Sequence, residues 1–309
     1  MSRASFKSIM AGGALTLLAF GAGAADLPGA PKVLPPAAAT PAESTPVDFI
    51  FGTKLMSDYN FRGISQSKRD FSVMGYGELQ LFDNFLYAGV AGNKVNLPTG
   101  PSAEVNFTGG IRPKFGPFTF DLGVIYYYYP GERALIDATG TYLSVRNTDF
   151  LEYGGKVTYV PNDDWQFQAG AYTTGNWLGS HAAATWVFGN AKYNIPSGAL
   201  GFMPAGFSVS GEYGHYFLGT FNSGFAGGPF ALPDYNYGNV GISYTWEVFT
   251  LDVRYHTTDL SSTKCFALTG DPRGINSGSG RSNWCGDTFV ASLSMDLTAS
   301  KLPGIFAPK

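Results

Sequence analysis

Charge is what this sequence has least of. Asp, Glu, Lys and Arg make up 14% of 309 residues, against roughly a quarter in an ordinary soluble domain. A soluble β-sandwich would carry more Lys and Glu on its outside, so the deficit argues against one. With a net charge of -3 and no cluster of Lys and Arg, the chain lacks the phosphate-neutralising surface that nucleic acid requires, and that partner is set aside. Beyond the N-terminal segment there is no run of 18 or more apolar residues, which excludes an ordinary helical membrane protein. Histidine is scarce as well. His181, His215 and His256 are scattered without ligand spacing, so no metal and no other cofactor is expected.

What the chain does have is 41 glycines and 16% aromatic residues. That profile suits a sheet with few charges on one face, and if such a chain enters a membrane it must do so as strands. At the N-terminus, Arg3 and Lys7 precede an apolar stretch over residues 9–20 and then Gly21, Ala22, Gly23, Ala24 and Ala25. This reads as an export signal over residues 1–25, cleaved after Ala24 or Ala25 and directing the chain through the general secretory route. Residues 26–46 hold Pro28, Pro31, Pro35, Pro36, Pro41 and Pro46 and read as an extended periplasmic linker. Residues 47–297 read as the barrel and 298–309 as a tail.

From Val47 onward the dominant signal has period two, which sends alternate side chains to opposite faces of a sheet. Phe49, Phe51 and Leu55 oppose Asp48, Lys54 and Asp58; Val73, Leu79 and Leu81 oppose Glu78 and Gln80. Glu104, Asn106, Thr108, Arg112 and Lys114 alternate with Val105, Phe107 and Ile111, and Phe118 to Tyr128 alternate with Thr119 and Asp121. The same pattern returns around Glu152 and Lys156, around Glu212, around Asp252 and Arg254, and from Phe289 to Leu297. Weaker runs near 85–93, 165–174, 184–193 and 237–246 bring the total to about twelve strands of about ten residues, the length that crosses a bilayer when tilted. Around 165 and 184 the parity is ambiguous. The expected fold is all-β, a transmembrane antiparallel up-and-down β-barrel.

Connection lengths support it, because outer-membrane barrels alternate short periplasmic turns with longer external loops. Short turns read at 82–84, 114–117, 161–164 and 246–247, with long loops at 63–70, 96–102, 130–149, 175–182, 219–233 and 259–286; the turn at 194–206 is longer than the rule wants. Tyr159, Trp165 and Trp246 at short-turn ends, and Tyr59, Tyr126 and Tyr128 toward long-loop ends, are expected to form two girdles.

The stretch Ser57-Asp58-Tyr59-Asn60-Phe61-Arg62-Gly63-Ile64-Ser65-Gln66 resembles the opening signature of the TorF family of outer-membrane proteins assigned as porins, also catalogued as Gcw_chp. The resemblance implies a barrel with pore activity and no catalytic residues, and it covers about ten residues. The linker before Val47 and the tail from Thr298 to Lys309 depart from the family's pattern, and the chain does not end on the aromatic residue that the barrel assembly machinery usually reads.

The lumen is expected to carry Lys54, Asp58, Arg62, Glu78, Glu104, Arg112, Asp121, Glu152, Lys156, Glu212, Asp252 and Arg254. In the extended first strand, Lys54, Asp58, Asn60 and Arg62 would share the inner face, with Phe51, Leu55 and Phe61 on the lipid side, and Arg62 and Asp58 would belong to a charged ladder across the lumen. With both signs present, little ion preference is expected. Twelve strands give a cylinder roughly 24 Å across, and on the order of 10 Å remains inside the side chains before loops fold in. Cys265 and Cys285 are expected to form a disulfide in the last long loop. Small hydrophilic solutes are the expected cargo, and outer-membrane lipid, lipopolysaccharide and the assembly machinery the expected partners of a monomer. Two alternatives stay open: a non-conducting structural or adhesive barrel, and a lipid hydrolase built on His256 with Thr257, Thr258 and Ser261.

Overall fold

The structure is a computed structural model and describes residues 46–134, 147–201, 204–222 and 229–302. The signal segment and nearly all of the Pro-rich linker, including any threading of that linker into the lumen, lie outside the described residues. Twelve long strands form one closed antiparallel sheet: β1 (Val47–Met56), β2 (Ser72–Leu81), β3 (Leu86–Asn93), β4 (Glu104–Ile111), β5 (Phe118–Tyr128), β6 (Phe150–Tyr159), β7 (Trp165–Trp177), β8 (Ala182–Asn194), β9 (Phe207–Leu218), β10 (Tyr235–Trp246), β11 (Phe249–Thr258) and β12 (Thr288–Thr298). Each pairs with its chain neighbours, and β1 closes the ring against β12, with Ile50 opposite Thr298 and Met56 opposite Ser292. Closure leaves no free sheet edge, so every strand's backbone groups are answered by two neighbours.

Exposure follows the period-two pattern. On the outside, Phe49, Leu55, Val73, Leu79, Val90, Leu122, Leu151, Val240, Leu251 and Leu293 are all exposed. In water so much contiguous apolar surface would be strongly unfavourable; facing hydrocarbon it is the expected surface. Around 165 and 184 the structure resolves the parity: Gln168, Tyr172, Trp186 and Asn190 share the inner register, in which Tyr172 and Trp186 are buried, while Trp165 and Phe167 are exposed.

Aromatic side chains ring the short-turn end. Trp165 lies 5.6 Å from Phe167 and 4.7 Å from Tyr193, Phe118 stacks 4.7 Å from Tyr159, and Trp246 lies 5.7 Å from Tyr244 and 5.6 Å from Phe249. These amphipathic rings suit the headgroup level. Tyr126 and Tyr128 are exposed near the long-loop end, but Tyr59 is not part of a girdle, because it is buried inside the barrel.

Two connections differ from expectation. Strands β7 and β8 run on to Trp177 and from Ala182, so the loop placed at 175–182 is a four-residue turn. A register irregularity between Thr174 and Trp177 bends this hairpin, and Trp177, Leu178 and Ala182 are buried rather than reaching outward. The reason is that Trp177 and Leu178 bury more apolar surface over the lumen than they would in an extended external loop. The second difference is larger. Strand β1 stops at Met56, and residues 58–67 turn into the barrel instead of extending it. The loops at 130–149 and 219–233 lie partly outside the described residues.

At the other end, the two ends of the sheet are stitched together. Ser300 donates its backbone N–H and its hydroxyl to the Asp48 carboxylate, at 3.1 and 2.7 Å. Packing across the wall uses glycine at Gly52, where a Cβ would stand 2.7 Å from the Tyr76 ring. Its absence lets Tyr76 of β2 cross over β1 and donate to Asp296 of β12 at 2.6 Å.

Candidate functional site

The site is built by the segment the sequence reading had placed in a strand. Asn60–Phe61 pairs with Ile64–Ser65, and Arg62 and Gly63 make the turn between them with φ of 46° and 85°. Both central residues in the left-handed region is the pattern of a tight two-residue hairpin, ordinarily filled by Asn-Gly. Glycine at 63 is required twice over: its φ suits few other residues, and a Cβ would stand 2.9 Å from Tyr237 Cβ and collide with the Thr258 methyl. The hairpin tip is therefore pressed against β10 and β11, which follow β12 round the ring from β1.

Arg62 does not join a ladder with Asp58 along one strand face. Its guanidinium donates Nη1 to Glu152 Oε1 and Nη2 to Glu152 Oε2, both at 2.8 Å. It also lies 3.9 Å from the Trp186 ring centroid, 4.4 Å from Phe61 and 4.8 Å from Tyr216. Tyr127 and Tyr216 add hydroxyl donors to the same carboxylate at 3.0 and 3.1 Å. Arg62, Glu152, Tyr127, Trp186 and Tyr216 are all buried. Burial works against the Arg62 charge, but the carboxylate beside it holds the guanidinium well above its ordinary pKa, so the cation persists in a water-poor setting, where the bidentate geometry and the cation–π contacts are strongest.

Asp58 does a different job. Oδ1 accepts from the hydroxyls of Ser65 at 2.6 Å and Ser67 at 2.8 Å, closing the base of the hairpin. Burial pushes its carboxyl up, opposed by those two hydroxyls and by the Arg69 charge. Tyr59 donates to Glu104 on β4 at 2.8 Å, and Gln66 O accepts from Asn96 N at 2.9 Å. Phe61, expected on the lipid side, is buried with Ile64 in the interior. The reversal follows from the turn: a chain that leaves the sheet no longer obeys the sheet's alternation.

Together these side chains fill the long-loop half of the lumen. Met56, Tyr59, Phe61, Ile64, Met74, Tyr127, Tyr129, Phe150, Trp177, Trp186, Tyr216, Tyr235 and Tyr237 form one buried cluster. Its roof is the last long loop, which carries two short helices, α1 (Ser262–Thr269) and α2 (Pro272–Asn276), and the Cys265–Cys285 disulfide. Ser65 N donates to Trp284 O at 2.9 Å, and Arg69 donates to the carbonyls of Asn283, Gly286 and Asp287.

The short-turn half is polar. On one wall Arg112 holds Glu78 at 2.6 Å and Asp121 at 3.0 Å, with the Tyr87 ring 3.6 Å from the guanidinium and Lys156 4.0 Å from Asp121. On the opposite wall Arg254 pairs with Asp252 at 3.1 Å and donates to Asn239 and Ser210 at 2.7 and 2.8 Å. Lys54 and Glu212 also face inward, Glu212 accepting from Tyr237 at 2.6 Å. The expected lumen charges therefore divide into three groups: the Arg62–Glu152 pair and Glu104 within the filled half, and two wall networks below it. Glu78 and the Asp252–Arg254 pair serve those wall networks and not Arg62. Arg112→Ala is expected to strand two largely buried carboxylates and cost about 3–5 kcal/mol, measured as a lower urea midpoint for the protein refolded into vesicles.

The hydroxyls around His256 serve the structure. Thr257 donates to Asp287 and Thr258 to Cys285 O, both at 2.6 Å, and the Ser261 side chain accepts from Lys264 N as the cap of α1. Among the described residues none of the three is hydrogen-bonded to His256, and no His, Cys, Asp and Glu group is placed to hold a metal.

The residues that sequence reasoning missed are the inward aromatics: Tyr127, Trp186, Tyr216 and Tyr237. Their signal was present. Tyr127 sits in the inner register between Tyr126 and Tyr128, so a lumen-facing tyrosine was legible from parity alone.

The chain aligns with the solved "KdgM porin" at a TM-score of 0.43 and 9% identity, over 80% of this chain and 98% of that one. It aligns with a COG4313 outer membrane channel from Pseudomonas putida F1 at 0.42 and 13% identity, over 86% and 99%. No curated protein sequence matches. The model of a family of bacterial proteins of unknown function, Gcw_chp, matches residues 38–198, just over half of the chain, and the chain belongs to that family.

Proposed function

We propose that this protein is an outer-membrane porin for small hydrophilic solutes, held closed by its own first loop. One observation carries the reading: the way residues 58–67 fill the lumen. A permanent filler is most stable when apolar, because a buried ion pair gains little over well-packed hydrophobic residues of the same volume. This filler is polar. It carries the Arg62–Glu152 pair, and among the described residues both Asn60 side-chain polar atoms, Arg62 Nε and Gln66 Oε1 are buried with no protein hydrogen-bond partner. Polar atoms of this kind are better solvated in open water, which favours the undocked hairpin. The composition is that of a segment made to dock and undock.

Beneath the hairpin the periplasmic half of the lumen is a mixed-charge vestibule. Its acidic and basic side chains are neutralised within each wall, so neither sign dominates the path. In planar bilayers the wild-type protein is expected to show a mostly closed baseline with discrete openings. Its reversal potential in a tenfold KCl gradient should lie far from either ideal limit. An absence of current at every voltage, for both the wild type and a variant lacking residues 60–65, would favour a purely structural or adhesive barrel. A reversal potential near an ideal limit would contradict the balanced vestibule.

A further inference from the structure

Four of the five groups around the Arg62 guanidinium do not belong to the hairpin. Tyr127 is on β5, Glu152 on β6, Trp186 on β8 and Tyr216 on β9, and only Phe61 would leave with Arg62. The wall groups are also fixed independently. Trp186 Nε1 donates to Tyr237 Oη at 2.9 Å, Tyr237 donates to Glu212 at 2.6 Å, and the Trp186 ring stacks 4.2 Å from Phe188 and 5.8 Å from Tyr172. Glu152 is oriented by the Tyr127 and Tyr216 hydroxyls. Removing the hairpin thus leaves a preorganised cage, with a carboxylate presenting both oxygens and aromatic faces around it. That combination matches a planar, delocalised cation with two parallel N–H donors.

Arg62 occupies this cage at a cost. It is a non-glycine residue at φ 46°, a strain of about 1–2 kcal/mol, and its Nε is buried with no protein acceptor among the described residues. Strain held at a turn points to a side chain whose position matters more than the local backbone energy. A free ligand of the same chemistry carries neither burden, but it competes against a tethered rival whose effective concentration is on the order of millimolar.

We propose that the Glu152–Trp186–Tyr216–Tyr127 cage is a binding site for a guanidinium-bearing solute, which displaces Arg62 and thereby opens the pore. The inference rests on the pore reading and deepens it by naming a solute class. Arg62 is the tethered stand-in for the solute, and the charge the solute brings replaces the one the hairpin removes, so Glu152 is never left bare.

The test uses the full-length protein refolded into lipid, with methylguanidinium chloride as probe and methylurea, its neutral isostere, and equal KCl as controls. In the wild type, millimolar methylguanidinium is expected to raise the open probability, and methylurea is not. In Arg62→Ala, and in Arg62→Met to guard against loss of packing, it should bind at about tenfold lower concentration, because the tethered competitor is gone. Binding is read as a rise in thermal unfolding temperature and a change in tryptophan fluorescence, neither of which requires current. Glu152→Gln should abolish the response. Equal effects of methylguanidinium and methylurea, or no response in the wild type and both variants, overturn the cage proposal even when the barrels conduct. Binding without current in any form retains the cage and overturns the pore reading instead.

Discussion

Arg62→Ala is expected to convert a mostly closed barrel into one that conducts steadily. The substitution removes the cation from a carboxylate that is 1% exposed, and breaking a buried pair by taking one partner costs about 3–5 kcal/mol. It also removes the ring contacts of a desolvated guanidinium, each worth up to about 2 kcal/mol. Applied to the docking of the hairpin, a loss of 3–5 kcal/mol shifts the closed-to-open ratio by about a hundredfold or more. The barrel itself should survive, since its ring of backbone pairs runs through β1 and β2 without using the hairpin residues 60–65. Single-channel recording checks the current, and the retained gel shift between heated and unheated samples checks the fold. Replacing both partners, Arg62→Met with Glu152→Met, should restore the closed state, because an apolar pair of similar volume leaves no bare charge. A closed Arg62→Ala barrel would show that the pair does not hold the hairpin.

Removing the disulfide should act on the same hairpin from above. Cys265 and Cys285 close a loop of 20 residues, worth about 3 kcal/mol in the chain-entropy account. The residues flanking Cys285 are the ones that hold the hairpin: Trp284 O accepts from Ser65, and the carbonyls of Asn283, Gly286 and Asp287 accept from Arg69. Thr258 ties Cys285 O back to β11. With both cysteines changed to serine, the roof loses its fixed geometry while β11 and β12 keep their pairing. Openings should become longer, and trypsin should gain access to Lys264 and Arg273 in the loosened loop. The same change should follow reduction of the wild type from the loop side. Unaltered gating and an unaltered digestion pattern would show that the roof stands without its cross-link.

How much of this was legible beforehand varies by element. Strand β5 was written out by Phe118, Phe120, Leu122 and Val124 facing one way and Thr119 and Asp121 the other. The same rule puts Lys54, Glu78, Glu152 and Arg254 on the polar face of the wall, where the last three make ion pairs. The rule failed where the chain left the sheet. Extending β1 through Arg62 put Phe61 toward lipid and Arg62 beside Asp58, whereas Arg62-Gly63 is a turn and Phe61 is buried. The clue was the Arg-Gly pair after a run of alternating residues, a weak form of the Asn-Gly hairpin signal.

By itself the sequence determined the ring. Period-two alternation, strand-length runs and turn chemistry are local properties, and each segment declares its oily and its polar face without reference to any other. It also brought the two cysteines into one loop. Tertiary structure alone decided what occupies the lumen, because Arg62 meets a carboxylate 90 positions away and rings from two further strands. Contacts across a closed barrel depend on which strands face one another, and no local spacing encodes that.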